Sequence, residues 1–285
     1  MRDFDKLWDY QHPAATEQKF RNVLAETTQD HENIDYIAEL WTQIARTQGL
    51  QKKFSEAHET LDQVEHMLPE RMTAARMRYW LERGRVFNSS SRQAEALPLF
   101  LDAWEQGVQA GEDDYAVDAA HMLGIAESTP EKRMDWNLKA LAHAEEKPEA
   151  SRWLGSLYNN IGWAKVDAGE LDDALDLFER AYAFRKLQGN PVSIFIAKWS
   201  IAKVLRLMNQ VEKALEIQQE LLLETDQSVE PDGYVYEEMA ECLLSLHREE
   251  ESKPHFSRAY ELLSQDSWLT DHEAERIARL KELAV

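Results

Sequence analysis

Few residues in this sequence are placed to do chemistry. The single cysteine, Cys242, lies in the run MAECLLSL. Its neighbours are apolar and free cysteine is among the most buried residue types, so an inert thiol is expected there. One cysteine also excludes an intramolecular disulfide and a cysteine-based zinc site. The nine histidines are scattered. His12, His31 and His58 share no helical face with carboxylates at metal-ligand spacing. The doublets Asp113-Asp114 and Asp172-Asp173 fall at turns, where aspartate favours the start of a helix. Neither HExxH, GxSxG, GxxxxGK[ST] nor GxGxxG occurs. No enzyme, no metal site and no cofactor is expected.

What remains is recognition, and charge limits its partners. The 285 residues include 32 Lys and Arg against 53 Asp and Glu, a formal net charge of -21. Such a surface repels phosphate backbones and anionic lipid unless positive charge is gathered in one place, so neither nucleic acid nor membrane is an expected partner. The opening MRDFDKLWDYQHP lacks the apolar core of a signal peptide. No run approaches the roughly 20 apolar residues that span a bilayer. A cytoplasmic protein is expected.

Only 10 Gly and 8 Pro interrupt the chain, and hydrophobic residues make up 44% of it. Apolar residues recur at helical spacing almost throughout, as in Leu97, Phe100, Leu101, Trp104 and Val108. Runs rich in Val, Ile and Thr are absent. The expected class is all-α.

The helices repeat. Residues 158–181 read YNNIGWAKVDAGELDDALDLFERA and residues 80–103 read WLERGRVFNSSSRQAEALPLFLDA. Gly162, Ala174, Phe178 and Ala181 stand in the same frame as Gly84, Ala96, Phe100 and Ala103. The markers Ala57, Ala96, Ala174, Ala214 and Ser252 are 39, 78, 40 and 38 residues apart. A more degenerate unit, with Leu123-Gly124 and a second helix opened by Pro130, fills the double gap. Each unit reads as two antiparallel helices joined by a short turn. Small residues let helices approach and large ones fill the gaps. One pair cannot bury its apolar face alone, so the pairs must stack.

This pattern resembles the tetratricopeptide repeat family. That signature has an aromatic, Leu-Gly and an aromatic on the first helix, then Ala, an aromatic and Ala on the second. The resemblance covers about residues 14–264. It departs in repeat length, since the spacing averages near 39 residues where the family has about 34. That length is similar to the peptide-binding repeat domains of bacterial quorum-sensing regulators. The expected architecture is one domain, an α-α superhelix or solenoid of stacked antiparallel helix pairs, right-handed by resemblance. It would hold an N-terminal half unit over about 14–34, six helix pairs over about 35–264 and a capping helix over about 270–284. Thr270 reads as the N-cap of that last helix, with Glu273 completing a capping box. Ile277, Leu280 and Leu283 share one of its faces. That face either shields the last repeat or, left open, makes a homodimer through the end units.

By the same resemblance, the first helix of each pair lines a concave groove. The side chains two, five and nine residues into that helix point inward. They are Glu39, Thr42 and Arg46; Arg78, Leu81 and Arg85, with Asn88 nearby; Asp118, His121 and Ile125. Further on come Ser156, Asn159 and Trp163; Ile196, Trp199 and Lys203, with Arg206 one turn on; and Tyr234, Glu237 and Glu241. The candidate ligand contacts are Arg46, Arg78, Arg85, Asn88, His121, Asn159, Trp163, Trp199, Lys203 and Arg206. Arg grips a carboxylate through two parallel hydrogen bonds. Asn bonds a peptide backbone as donor and acceptor. Trp gives broad apolar contact at small entropy cost. The expected function is a non-enzymatic scaffold whose groove recognises a protein segment, acidic in character. The alternative is a sensor that changes curvature when a peptide signal enters and so regulates a separate partner.

Overall fold

A computed structural model describes residues 2–27, 34–68, 74–226 and 231–285. His31 and part of the expected half unit, residues 28–33, lie outside the described residues. A 3-10 turn over Asp3–Leu7 is followed by α1 (Pro13–Thr27). Among the described residues six pairs of helices come next: α2 (Ile34–Leu50) with α3 (Phe54–Met67), α4 (Ala74–Ser89) with α5 (Gln93–Ala110), and α6 (Asp113–Ala126) with α7 (Pro130–Glu146). After a 3-10 segment over Pro148–Trp153 follow α8 (Leu154–Asp167) with α9 (Leu171–Gln188), α10 (Pro191–Leu207) with α11 (Val211–Asp226), and α12 (Gly233–Ser245) with α13 (Glu249–Leu263). Two short helices close the chain, α14 (Ser267–His272) and α15 (Ala274–Leu283). No strand occurs among the described residues. No helix among them is long and apolar enough to cross a membrane. The chain divides into two compact units, Met1–Leu157 and Tyr158–Val285.

The pairs form because the repeated frame is the buried frame. Ala57, Ala96, Ala174, Ala214 and Ser252 are all buried, as are Phe20, Phe100, Phe178 and Phe256. In the first unit Phe100 packs with Met77, Leu81, Ala96, Ala103 and Leu123. In the second, Phe178 packs with Ala174 and Val204 against Trp163 and Ile201. The phenyl rings of Phe100 and Phe178 reach the facing helix only because that helix carries glycine. A Cβ at Gly84 would lie 2.5 Å from Phe100 Cε1, and one at Gly162 would lie 2.7 Å from Phe178 Cε1.

The turns within pairs share one device. Lys52, Ser91, Gly169, Asn209 and His247 each follow a first helix and each adopt positive φ. The following residue then donates its N–H back to the carbonyl near the helix end, as Arg92 does to Phe87 and Arg248 to Leu243. This left-handed stop favours glycine, yet only Gly169 is one. Relieving the side-chain cost at the exposed His247 by His247→Gly should raise stability by about 1 kcal/mol. A higher urea midpoint at unchanged slope would show it. The α6–α7 turn is different: Thr129 Oγ1 accepts from Lys132 N at 3.3 Å and Pro130 opens α7.

The C-terminal cap corrects one expectation. Thr270 is not an N-cap but lies inside α14, its Oγ1 donating to the Ser267 carbonyl at 3.0 Å. Asp266 caps that helix, accepting from Trp268 N at 2.8 Å, and α15 begins only after Glu273. Thr270 cannot cap because the helix has already begun at Ser267, where Asp266 accepts from a free N–H of the first turn. Ile277 and Leu280 are buried against Phe256, Leu263 and Leu269, with Leu283 partly buried beside them. The apolar face of α15 is therefore covered by α13 and α14.

Candidate functional site

In the first unit α2, α4 and α6 lie side by side as one layer of first helices. Their facing side chains form ladders of ion pairs. Arg78 of α4 donates from Nη1 and Nη2 to the two oxygens of Asp5, at 3.0 and 2.6 Å. Its Nε lies 3.2 Å from Glu39 of α2 and donates to the Tyr115 hydroxyl at 3.0 Å. Arg2 donates to Glu39 Oε1 from Nε and Nη2, at 3.0 and 2.6 Å. Further along the same helices, Arg46 and Arg85 donate to one oxygen of Glu82, at 3.1 and 2.8 Å. Arg85 also pairs with Asp118 of α6.

Glu39 is 1% exposed and Glu82 2%. Buried carboxylates persist as charges only when paired. Burial pushes the Asp118 carboxyl up, but Arg85 and Arg46 outweigh it and hold the group below the usual carboxylate range. Burial likewise opposes the charge of Arg85, and Asp118 and Glu82 more than restore it. Burial, only partly offset by Asp118, pushes His121 down, so its ring is neutral at pH 7 and packs 5.4 Å from Trp153. Arg46, Arg78 and Arg85 thus stand together as the frame places them, but not as free cations. Asn88 is half-buried in the last turn of α4, where its carbonyl accepts from Ser91 N.

The first residues of the chain lie on this layer. Phe4 is 1% exposed and meets Phe20 and Tyr36 edge-on, at 6.1 and 5.2 Å. Trp8 donates from Nε1 to Gln43 Oε1 at 3.0 Å. The Arg46 guanidinium lies over Trp8 and Tyr10, 5.6 and 5.5 Å from their centres. Beside them opens a cavity of about 280 Å³ walled by Trp8, Tyr10, Arg46, Arg78, Tyr115 and Arg152 among others. Arg152 is held by Asp114, which also accepts from Trp153 Nε1 at 3.0 Å.

The second unit presents a different surface. Trp163 of α8, Trp199 of α10 and Tyr234 of α12 follow one another at 5.8 and 6.1 Å between ring centres. Lys203 lies 4.9 Å from the Trp199 ring centre and 5.7 Å from that of Trp163. Among the described residues it makes no ion pair. Every other cation of the expected set has a carboxylate; Arg206 grips Glu238 with two nitrogens. Arg276 of α15 pairs with Glu237 and lies 5.3 Å over Tyr234, and Arg279 pairs with Glu241. One turn and two turns before Trp199 on α10 stand Ile196 and Val192, 44% and 68% exposed. Asn159 Oδ1 is buried without a hydrogen-bond partner. Burial pushes the Cys242 thiol up to about 12, which leaves it an unreactive core group. No cluster of metal-ligating side chains occurs among the described residues.

The sequence frame marks these positions but not their pairing. It missed Asp5, Trp8, Tyr10, Glu82, Arg152 and Arg276. One signal was present: Glu39, Arg78 and Asp118 hold the same position in successive first helices, so the sign of charge alternates from unit to unit.

No protein-family model and no curated protein matches the sequence. Solved structures do match its fold. A signal-transduction ATPase of the STAND class with a tetratricopeptide repeat sensor, from Pyrococcus horikoshii, aligns with TM-score 0.73 at 14% identity, over 93% of this chain and 42% of that one. The Cut9–Hcn1 hetero-tetramer of the APC/C aligns with TM-score 0.61 at 14% identity, over 96% and 47%. NprR in complex with its cognate peptide NprX aligns with TM-score 0.55 at 15% identity, over 93% and 78%. The chain thus spans less than half the length of the first two. Its fold is that of tetratricopeptide repeat proteins, an all-α solenoid of helices packed in pairs.

Proposed function

We propose that this protein is a non-enzymatic scaffold that receives a protein segment on the first-helix face of its second unit, with an acidic side chain of that segment against Lys203. The observation that carries this reading is the Lys203 ammonium, set over two adjoining indole rings and matched by no carboxylate of the described chain. An aromatic floor keeps a cation in place without neutralising it. Val192 and Ile196 continue the surface as an apolar stripe on α10, so the fitting segment carries a large apolar residue near its acidic one. The peptide complex of NprR and the subunit complex of Cut9 with Hcn1 support a solenoid of this kind as a binder of peptides and proteins. The net charge of -21 makes nucleic acid and membrane poor partners.

A display selection of random dodecamer peptides on the full chain tests this. Selected peptides should carry Asp or Glu beside a large apolar residue, and bind Lys203→Glu at least tenfold more weakly. Their affinity should fall as salt rises. Peptides without acidic enrichment, or ones held equally by Lys203→Glu, would remove the proposal.

A second reading shares this site. The ATPase's repeat region is described as a sensor, and NprR holds a cognate peptide. A peptide signal entering here would then alter the stacking of neighbouring pairs, since each pair touches only its neighbours. A change in radius of gyration on adding a selected peptide distinguishes the sensor from a passive scaffold.

A further inference from the structure

We infer that the first-helix face of the first unit is a separate recognition surface, specific for a segment with an acidic side chain followed three residues later by tryptophan and two further on by an aromatic. The chain's own residues 2–10 occupy it in cis. This inference stands on the first unit alone and does not depend on the site at Lys203.

The seated segment is held by side chains, which makes it a template for what the surface takes. Asp5 gives both oxygens to Arg78, Trp8 gives its indole N–H to Gln43, and Trp8 and Tyr10 lie against Arg46. The surface also requires an acidic occupant. Arg78 is mostly buried, and without Asp5 it would share Glu39 with Arg2, two guanidiniums to one carboxylate. Removing one partner of a buried pair is costly, so whatever lifts Asp5 must bring a carboxylate of its own. The segment divides into an anchor and a removable part. Phe4 is in the core, but Trp8 is only half-buried and Tyr10 is 58% exposed. Lifting residues 5–10 uncovers the face of Phe20 that Trp8 meets and breaks the Asp9 contacts with Thr16, but leaves Phe4 seated. The cavity beside them gives an incoming chain room between Tyr115 and Arg152.

A tethered occupant competes at an effective concentration on the order of millimolar. Binding in trans is therefore weak in the wild type and gains when the tethered copy is loosened. The experiment is fluorescence anisotropy with a labelled synthetic peptide, RDFDKLWDYQ, on full-length chains. The double variant Asp5→Asn/Trp8→Ala should bind it at least tenfold more tightly than wild type. Adding Arg46→Gln, or Gln43→Ala should Arg46→Gln fail to fold by circular dichroism, should abolish that gain. A peptide carrying Asn in place of its second Asp should lose that gain, and the gain should persist when Lys203→Glu is present in both chains, which removes any binding at the other unit. Equal binding to wild type and double variant, or binding indifferent to Arg46 and Gln43, would overturn the inference. So would a wild-type dimer in light scattering that dissolves in the double variant, because the segment would then be seated on a second copy.

Discussion

Replacing Glu82 with alanine should destabilise the first unit by about 3 kcal/mol, toward the lower end of what breaking a buried ion network costs. Glu82 is almost wholly buried and accepts from Arg46 and Arg85 on one oxygen. Its loss leaves Arg85 with Asp118 alone and Arg46 with only the rings of Trp8 and Tyr10. Both arginines keep some solvent contact, which is why the lower end applies. Urea unfolding of Glu82→Ala against wild type measures the loss. A change below about 1 kcal/mol would mean that water replaces the carboxylate and that the ladder sets geometry rather than stability. Acid should dismantle the same ladder. The Asp118 carboxyl is held below its ordinary value in the fold. Its contribution is thus full above the unfolded value of about 3.9 and lost as pH falls through the lower folded value.

The second large effect concerns packing. Gly84→Val should cost about 3 kcal/mol, the upper end for overpacking a core. The added Cβ alone would lie 2.5 Å from the edge of Phe100, and Phe100 is fully buried, packed among Met77, Leu81 and Leu123. The ring has nowhere to retreat, so α4 must move off α5. The branched side chain gains slightly in helix propensity over glycine, by a few tenths of a kcal/mol, far too little to compensate. Combining Gly84→Val with Phe100→Leu should recover part of the loss, because the two sites share one volume and cannot be additive. A double variant no better than the sum of its parts would place the strain elsewhere. Gly162 against Phe178 repeats the geometry in the second unit and should respond alike.

The frame that located these glycines was legible because burial is periodic. Ala57, Ala96, Ala174 and Ala214 recur at nearly regular spacing for the same reason they are buried: only a small side chain lets two helices meet there. The turns were legible as turns, though not the left-handed stop that Lys52, Ser91 and His247 adopt, since those residue types do not announce positive φ. The pattern also placed Thr270 as a cap where Asp266 does that work, because two candidate caps four residues apart differ only in which one the preceding helix leaves free.

By itself the sequence determined the class, the pairing of helices, the buried positions and the lack of familiar catalytic and nucleotide-binding motifs. These follow from periodicity and residue size, which are local. It also singled out the ten recognition candidates by their place in the frame. Which of them carry an unanswered charge was decided only by the tertiary structure. Arg46, Arg78, Arg85 and Arg206 each meet a carboxylate from a neighbouring helix or from the first residues of the chain, while Lys203 meets two indole rings instead. Coulomb attraction acts through space, and the partners lie more than thirty positions away along the chain. No reading of one helix at a time contains them.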